Sequence, residues 1–303
     1  MALAEPMTVN SATAAWAAVD APAAPESYLL AARRRFLRSR VGLAALGVLL
    51  LLMAVSVGAP LLTSYDPTVG QPVDRLKPIG SAGHLLGTDE QGRDMLTRIL
   101  YGGRMSLLAG LVPVIAATVI GTALGSLSGF VGRWVAALIM RTMDMFYAFP
   151  AVLLAIAISA SLGPGLINQI IALSIIYIAP IARVAEAATR RIVVAEFIEA
   201  AKLTGASTSR IIVTQVLANI FSPIFVYASG LVGLAIVTAA SLSFLGLGVR
   251  PPTAEWGFML NALRGTIYVN PWVAVLPGVF IFATSISFNM LADSVRDALD
   301  VKE

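Results

Sequence analysis

Residues 41–62 read VGLAALGVLLLLMAVSVGAPLL without one charged side chain, and four further charge-free runs of at least that length follow, at 105–132, 145–182, 211–249 and 271–292. About 20 apolar residues in an α-helix cross the roughly 30 Å hydrocarbon core of a bilayer. Inside that core every backbone N–H and C=O needs an internal partner, which leaves helices and closed barrels as the spanning structures. Composition points the same way. The chain is 58% hydrophobic and 13% charged, where soluble domains are roughly 45–50% apolar and about 25% charged. A water-soluble fold of 303 residues could not be covered by so few polar side chains. A typical cytosolic enzyme and a nucleic-acid-binding tail protein are excluded, and the chain reads as an all-α integral membrane protein.

The run at 145–182 is broken by Gly163-Pro164-Gly165, a turn signal that divides it into two helices. The run at 211–249 reads as one span over about 212–238, followed by an apolar SLSFLGLG segment. The spacing therefore predicts six transmembrane helices. Lys and Arg near span ends set orientation. Arg33, Arg34, Arg35, Arg38 and Arg40 precede the first span, and nothing basic follows it until Arg75. An N-in/C-in topology puts fourteen of the 21 basic residues inside and leaves seven outside, with Arg98 and Arg104 against the rule. Residues 1–32 are Ala/Pro-rich and aperiodic, expected to be mobile. They lack the layout of a cleaved signal peptide, so the first span is expected to stay as an anchor. Residues 28–40 fit a short amphipathic helix with its arginines towards anionic lipid headgroups.

Several chemistries are absent from the chain. It has no cysteine, and its single histidine, His84, cannot build an HExxH or three-histidine metal site. None of its three lysines, Lys77, Lys202 and Lys302, stands in a Gly-Lys-Ser/Thr setting, so there is no P-loop. No catalytic constellation and no metal site are expected, and no cofactor of its own. Arg141 with Asp144, and Arg183 with Glu186, share i,i+3 spacing and read as intrahelical pairs of structural role.

Two polar stretches carry more information. The first reads HLLGTDEQGRDMLTRILYGGR from His84. Thr88 and Gln91 have capping-box spacing, and Met95, Leu96, Ile99 and Leu100 form an apolar stripe. That predicts a short helix at the outer interface, too short and too charged for a span, with Arg93 and Asp94 bracing the loop. The second lies between the fourth and fifth spans, RRIVVAEFIEAAKLTGASTSRIIVTQVLAN. Val193, Phe197, Ala200 and Ala201 fall on one helical face, Glu199 offers a carboxylate, and Gly205 suits a helix C′ position at positive φ. A docking helix with a low profile and one polar anchor follows from those residues.

Glu199-Ala200-Ala201-xxx-Gly205, followed after a gap by Val216-Leu217, resembles the EAA loop of type I ABC importer permeases. The family pattern usually ends Leu-Pro, and here Ala218 follows Leu217. A second set narrows the resemblance: His84-x-Leu86-Gly87-Thr88-Asp89-x-x-Gly92-Arg93-Asp94, with Arg98, Gly102 or Gly103, Arg104 and Ser106-Leu107. Arg141-x-x-Asp144 with Phe149-Pro150, Ser243-Phe244-Leu245-Gly246-Leu247-Gly248, and Trp256-Gly257-x-Met259-Leu260 complete it. Together they are similar to the C-type membrane subunit of dipeptide and oligopeptide permeases, over about 41–295.

The resemblance implies a type I ABC importer transmembrane domain with the following layout. A cytoplasmic tail spans 1–40, a first helix 41–63, and an extracytoplasmic loop with the short interfacial helix 64–104. A five-helix core covers 105–293, its cytoplasmic EAA loop at about 190–210, and a cytoplasmic tail covers 294–303. It implies a location in the bacterial cytoplasmic membrane, among lipids. The implied partners are a B-type homologous permease subunit, one or two ABC ATPase subunits that bind ATP and Mg, and an extracytoplasmic solute-binding protein. The substrate implied is a di- or oligopeptide, with nickel, glutathione or another small solute as the alternative. Glu199, Ala200, Ala201 and Gly205 are then expected to couple to the ATPase. Gly87, Thr88, Asp89, Gly92, Arg93 and Asp94 form the outer loop motif. Ser243, Phe244, Leu245, Gly246 and Gly248 are expected to line or gate the outer mouth, with small-residue packing as the plainer reading. A stand-alone channel or secondary carrier would need ion-handling residues or repeats within the spans, and an integral membrane enzyme a nucleophile with its base. Neither pattern is evident.

Overall fold

The computed structural model describes residues 28–299, so the expectation of a mobile tail falls almost wholly outside the described residues. Helices make up nearly all of it: α1 (Tyr28–Phe36), α2 (Arg40–Val57), α3 (Met95–Val131), α4 (Arg133–Tyr147) and α5 (Ala151–Leu162) come first. Then follow α6 (Leu166–Val193), α7 (Glu196–Leu203), α8 (Thr208–Phe244), α9 (Trp256–Ala262) and α10 (Pro271–Leu299). Among the described residues the only β-pairing is two isolated bridges, Ser81 with His84 and Thr88 with Asp94.

Five helices, α2, α3, α6, α8 and α10, are long and apolar enough to cross a membrane. The third expected span differs. Pro150 supplies no N–H and disfavours helical geometry at Phe149, so the chain breaks there and α4 and α5 meet at 89°. Alone, the 12 residues of α5 reach about 18 Å, well short of the core. Six spans result only where this bent pair counts as one.

Two other expectations are corrected. No separate interfacial helix follows the loop 64–94: the stripe Met95, Ile99 and Leu100 is the buried start of the 37-residue α3, and Thr88 stays in the loop. The helix begins where Asp94, not Thr88, supplies the cap, its side chain accepting from the Thr97 N–H. Likewise α8 does not stop near 238 but continues through Ser241 to Phe244.

The most extensive helix pair is α3 against α6. Gly121, Gly125 and Gly129 fall four residues apart on α3, and each lies on the backbone of α6. A Cβ on Gly121 would stand 2.9 Å from the Ile178 carbonyl oxygen, and one on Gly129 2.9 Å from that of Glu186. Gly125 sits on the Ala182 carbonyl, against Ala185. In lipid, where apolar side chains gain nothing from leaving water, such small-residue spacing allows dispersion contact at backbone range. The remaining spans are added to this pair. α8 packs on α3, α6 and α10, and α2 packs on α10 and α3.

The bundle has two distinct ends. The segment 64–94, the start of α3, α9 and the start of α10 gather at one, here the loop end. At the other, the α7 end, the end of α10 meets the start of α2 through Ser39 and Ser294, and Lys202 of α7 lies 5.3 Å from the ring of Phe130, at the end of α3. The same end holds Asp144 and Arg183, whose partners are not those that spacing suggested. Arg183 reaches across from α6 to Asp144 on α4 at 2.6 Å, and Glu186 pairs with Arg190 at 2.7 Å. Arg183 also lies over the Tyr147 ring. The rotation of α6 set by the glycine contact turns Arg183 towards α4 and not along its own helix.

Gly125→Val forces a branched side chain into a backbone contact and costs about 1–3 kcal/mol or more. Thermal unfolding in detergent should show a clearly lowered midpoint, whereas Gly47→Val, on a glycine with nothing within 4 Å, should leave it unchanged.

Candidate functional site

At the loop end, the motif 87–94 closes a polar knot over the start of α3. Asp89 Oδ1 accepts from the backbone N–H of Gln91 at 2.8 Å and of Arg93 at 3.0 Å, while Oδ2 takes the Arg93 Nε at 2.7 Å. Arg98 approaches the same oxygen at 3.4 Å and donates to the Pro67 carbonyl at 2.7 Å. Asp94 Oδ2 accepts from the Thr97 N–H at 2.8 Å and its hydroxyl at 2.7 Å, and Oδ1 meets His84 Nδ1 at 3.0 Å. Thr88 donates to the Asp74 carbonyl and accepts from the Lys77 N–H at 2.8 Å. Gly87 and Gly92 hold positive φ at +75° and +72°. Asp74 faces His84 and pairs with Lys77, whose hydrogen bond holds its carboxyl below the usual carboxylate range.

Asp89, Arg93, Asp94 and Arg98 are all nearly fully buried. Buried charges on this scale persist only when paired and hydrogen-bonded, and Arg93 and Asp94 are held in that way here. This knot ties 64–94 to α3, and leaves none of the four charged groups projecting into solvent.

The segment 241–248 lies at the same end but divides in two. Ser243 is buried and meets Gln169 of α6, whose Nε2 donates to Ser243 Oγ at 3.2 Å and to the Ala239 carbonyl at 2.6 Å. Gly248 packs directly on Ser243. Phe244 and Leu245 face outwards, Leu245 with 57% of its surface exposed. They border an apolar hollow of about 350 Å³ with Ser241, Leu260 and Gly278. Gly246, at φ +82°, ends α8: its N–H donates to the Ser243 carbonyl and that of Leu247 to Leu242, the paired bonds of a Schellman cap.

At the α7 end, α7 is an eight-residue helix that turns Ile198 and Ala201 inwards onto Ile211, Val216 and Ile220. Val193 ends α6 and is not part of α7, and Phe197 is largely exposed. The inward face is therefore one residue round from the expected one. Gly205 has φ +77° and closes a second Schellman cap, Ala206 N–H to Ala201 and Gly205 N–H to Lys202. Phe197, Ala200, Thr204, Gly205 and Arg210 line a shallow groove of about 580 Å³. Glu199 is exposed, and its carboxylate forms no hydrogen bond or ion pair among the described residues. No proline follows Leu217, but a π-helical turn at Ile212–Val216 comes just before it, a local break in the α pattern of the kind found at functional sites.

Sequence reasoning missed Glu255. Its carboxylate is buried at the start of α9, accepting from the N–H groups of Gly257 at 2.9 Å and Phe258 at 2.8 Å and from the Ser106 hydroxyl at 3.0 Å. Ser106 in turn accepts from the Trp256 N–H, and the Trp256 indole donates to the Ile99 carbonyl at 2.9 Å. Burial pushes the Glu255 carboxyl up, opposed by those hydrogen bonds. The signal was available: an acid just ahead of the apolar WGFML. Among the described residues no group of three or more His, Asp or Glu converges on a metal position.

Residues 121–302 match the family described as binding-protein-dependent transport system inner membrane component, and 27–78 match the N-terminal TM domain of oligopeptide transport permease C. The chain belongs to this permease family. Among its relatives, the glutathione transport system permease protein GsiD of Pectobacterium atrosepticum is 44% identical over 89% of this chain and 89% of its own. The dipeptide transport system permease protein DppC of Alkalihalophilus pseudofirmus is 42% identical over 88% of this chain and 87% of its own. The inward-facing MetNI methionine ABC transporter matches 68% of this chain and 98% of its own chain at TM-score 0.52 with 16% identity. That likeness gives the fold, a type I ABC importer transmembrane domain. The permease is thus an integral membrane subunit of an ABC importer.

Asp94→Ala removes the α3 cap and leaves His84 and the Thr97 hydroxyl short of a partner. We expect a loss of about 2–4 kcal/mol, read as a lowered unfolding midpoint and faster proteolysis within 64–94. Asp94→Asn, which keeps an acceptor for the Thr97 N–H, should recover part of the loss.

Proposed function

We propose that the chain forms half of the membrane pathway of an ATP-driven importer of short peptides. It would pair with a B-type homologous permease in a bacterial cytoplasmic membrane. The observation that carries the coupling step is α7: a short helix seated on its own apolar core, with Glu199, Ala200 and a groove beside Gly205 turned outwards. An ABC ATPase subunit, which would bind the ATP and Mg, docks on that face. Nucleotide-driven closure of the ATPases favours one arrangement of the spans over another because it binds that arrangement better. An extracytoplasmic solute-binding protein delivers substrate to the loop end.

Orientation follows from charge. The α7 end carries Arg33, Arg34, Arg35, Arg38 and Arg40 together with Arg133, Arg183, Arg190, Arg191, Lys202, Arg210 and Arg296, an excess that supports a cytoplasmic location for it. The loop end then faces outwards, with the knot 87–94 bracing the surface and Phe244, Leu245 and Gly246 at the mouth. Relatives named for dipeptide and for glutathione transport support a peptide-like substrate, and leave glutathione as a second reading. Both bear an ammonium and at least one carboxylate.

Glu199→Lys places a cation where the docking carboxylate stood, and Gly205→Asp adds a side chain at the positive-φ turn. Each variant should insert normally yet lose about tenfold or more of ATP-dependent uptake, with ATP hydrolysis no longer tied to transport. Normal uptake by both would remove α7 from the coupling path. A cysteine at Leu245 should cross-link to the companion permease with a yield that changes between nucleotide-free and ATP-trapped states. Equal yields in both states would remove the gating role.

A further inference from the structure

A groove of about 820 Å³ opens at the α7 end between α6, α8 and α10. One face of α8 forms its floor. Asn219, Ser222, Pro223, Val226, Tyr227, Gly230 and Leu231 recur at helical spacing and all line it. Arg191 at the end of α6, and Asp293 with Arg296 near the end of α10, line it too. Asp144 is held by Arg183 and Glu186 by Arg190, whereas Arg191, Asp293 and Arg296 form no ion pair among the described residues. The Ser222 and Tyr227 hydroxyls likewise have no hydrogen-bond partner among them. Polar groups on spanning helices mark substrate or ion pathways because lipid cannot solvate them; Ser222 and Tyr227 are such groups, and Arg191, Asp293 and Arg296 stand where the groove opens at the α7 end.

We propose that this groove is a transient binding site for a zwitterionic short peptide, Asp293 receiving its ammonium and Arg191 and Arg296 its carboxylate. The proposal deepens the importer reading and rests on it. Two guanidinium groups and one carboxylate leave room for a second acid on the ligand, so a dipeptide and a mono-anionic peptide both fit the charge pattern. The cavity exceeds what such a peptide fills, which leaves water beside it. That is the loose accommodation a pathway requires, since a passing solute must leave as readily as it arrives. An uncharged solute would find hydroxyls here but leave three charges unanswered.

The chain contains no cysteine, so an introduced one reports alone once any cysteines of the partner subunits are removed. In inside-out vesicles holding the complete nucleotide-free importer, Ser222→Cys is treated with a charged, membrane-impermeant thiol reagent. We expect ready labelling, slowed several-fold by alanyl-alanine and not by N-acetyl-alanyl-alanine amide. Adding Asp293→Asn or Arg296→Gln should raise the alanyl-alanine concentration needed for half-protection about tenfold, the effect of one charge-assisted contact. An unreactive cysteine, showing the groove filled by the companion subunit or by a lipid headgroup, overturns the proposal. So does equal protection by the blocked peptide, or none by either. ATP-dependent uptake by Ser222→Cys separates the two levels. If uptake is retained while protection is absent, the groove assignment fails and the importer reading stands. If the unmodified complex takes up no peptide, the importer reading fails.

Discussion

The glycine contact between α3 and α6 is the constraint on which the other placements depend. Three glycines a turn apart let the two helices meet at backbone distance, and this fixes the rotation of each about its axis as well as its depth. With α6 so rotated, Gln169 points at α8 and holds Ser243, while Arg183 points at α4 and holds Asp144. With α3 so rotated, Gly102, Gly103 and Ser106 face Trp256 and Glu255. The polar fixings at both ends follow from an apolar contact along the last third of α3, nearer the α7 end. In a bilayer that is the expected order, since packing at small residues brings helices close and hydrogen bonds across them add modest further energy.

Polar side chains are spent differently at the two ends. At the loop end the buried charges are paired internally: Asp89 with Arg93 and Arg98, Asp94 with His84, and Glu255 with the start of α9. The result is a rigid lid, because removing one member leaves another buried without a partner. At the α7 end Glu199, Arg191, Asp293 and Arg296 remain unspent, and the helix that carries Glu199 is attached by a small apolar core of its own. One end is paired within itself, and the other keeps charged groups unpaired among the described residues.

The sequence made the spans legible because charge-free runs are a one-dimensional signal, and Gly205 because a C′ glycine is local chemistry. The start of α3 was not legible. Thr88 was read as the cap from its spacing to Gln91, but chain folding back from residues 74–77 ties its hydroxyl to Asp74 and Lys77, and Asp94 caps the helix instead. The inward face of α7 was read one residue out because Val193 belongs to a different helix, and a periodic pattern carries across a break it cannot see. The i,i+3 pairs failed for a related reason: spacing gives the partners available within one helix, and helix rotation decides whether a partner on a neighbour wins. Glu255 stood in plain view, but its meaning lies in Ser106, 149 residues away along the chain.

On the proposed reading, a docking helix and an outer mouth matter to each other only if something stiff joins them, and α8 runs between the two. It begins beside α7, with Ile211, Val216 and Ile220 packed on Ile198, and ends at Ser243 and the Gly246 cap. Its 37 residues span about 55 Å, nearly twice the hydrocarbon thickness. The hydrogen-bond ladder is irregular only near the α7 end, at the π turn Ile212–Val216 and at Pro223. Bending concentrates where a ladder is interrupted, so the stretch from Ile224 onward moves as one body. On the proposed reading, a push on α7 tilts that body about its lower third. The groove floor at Val226, Tyr227 and Gly230 and the mouth at Phe244 then lie on the same rigid segment. Such an arrangement ties the opening of one to the closing of the other without any chain of side-chain relays between them.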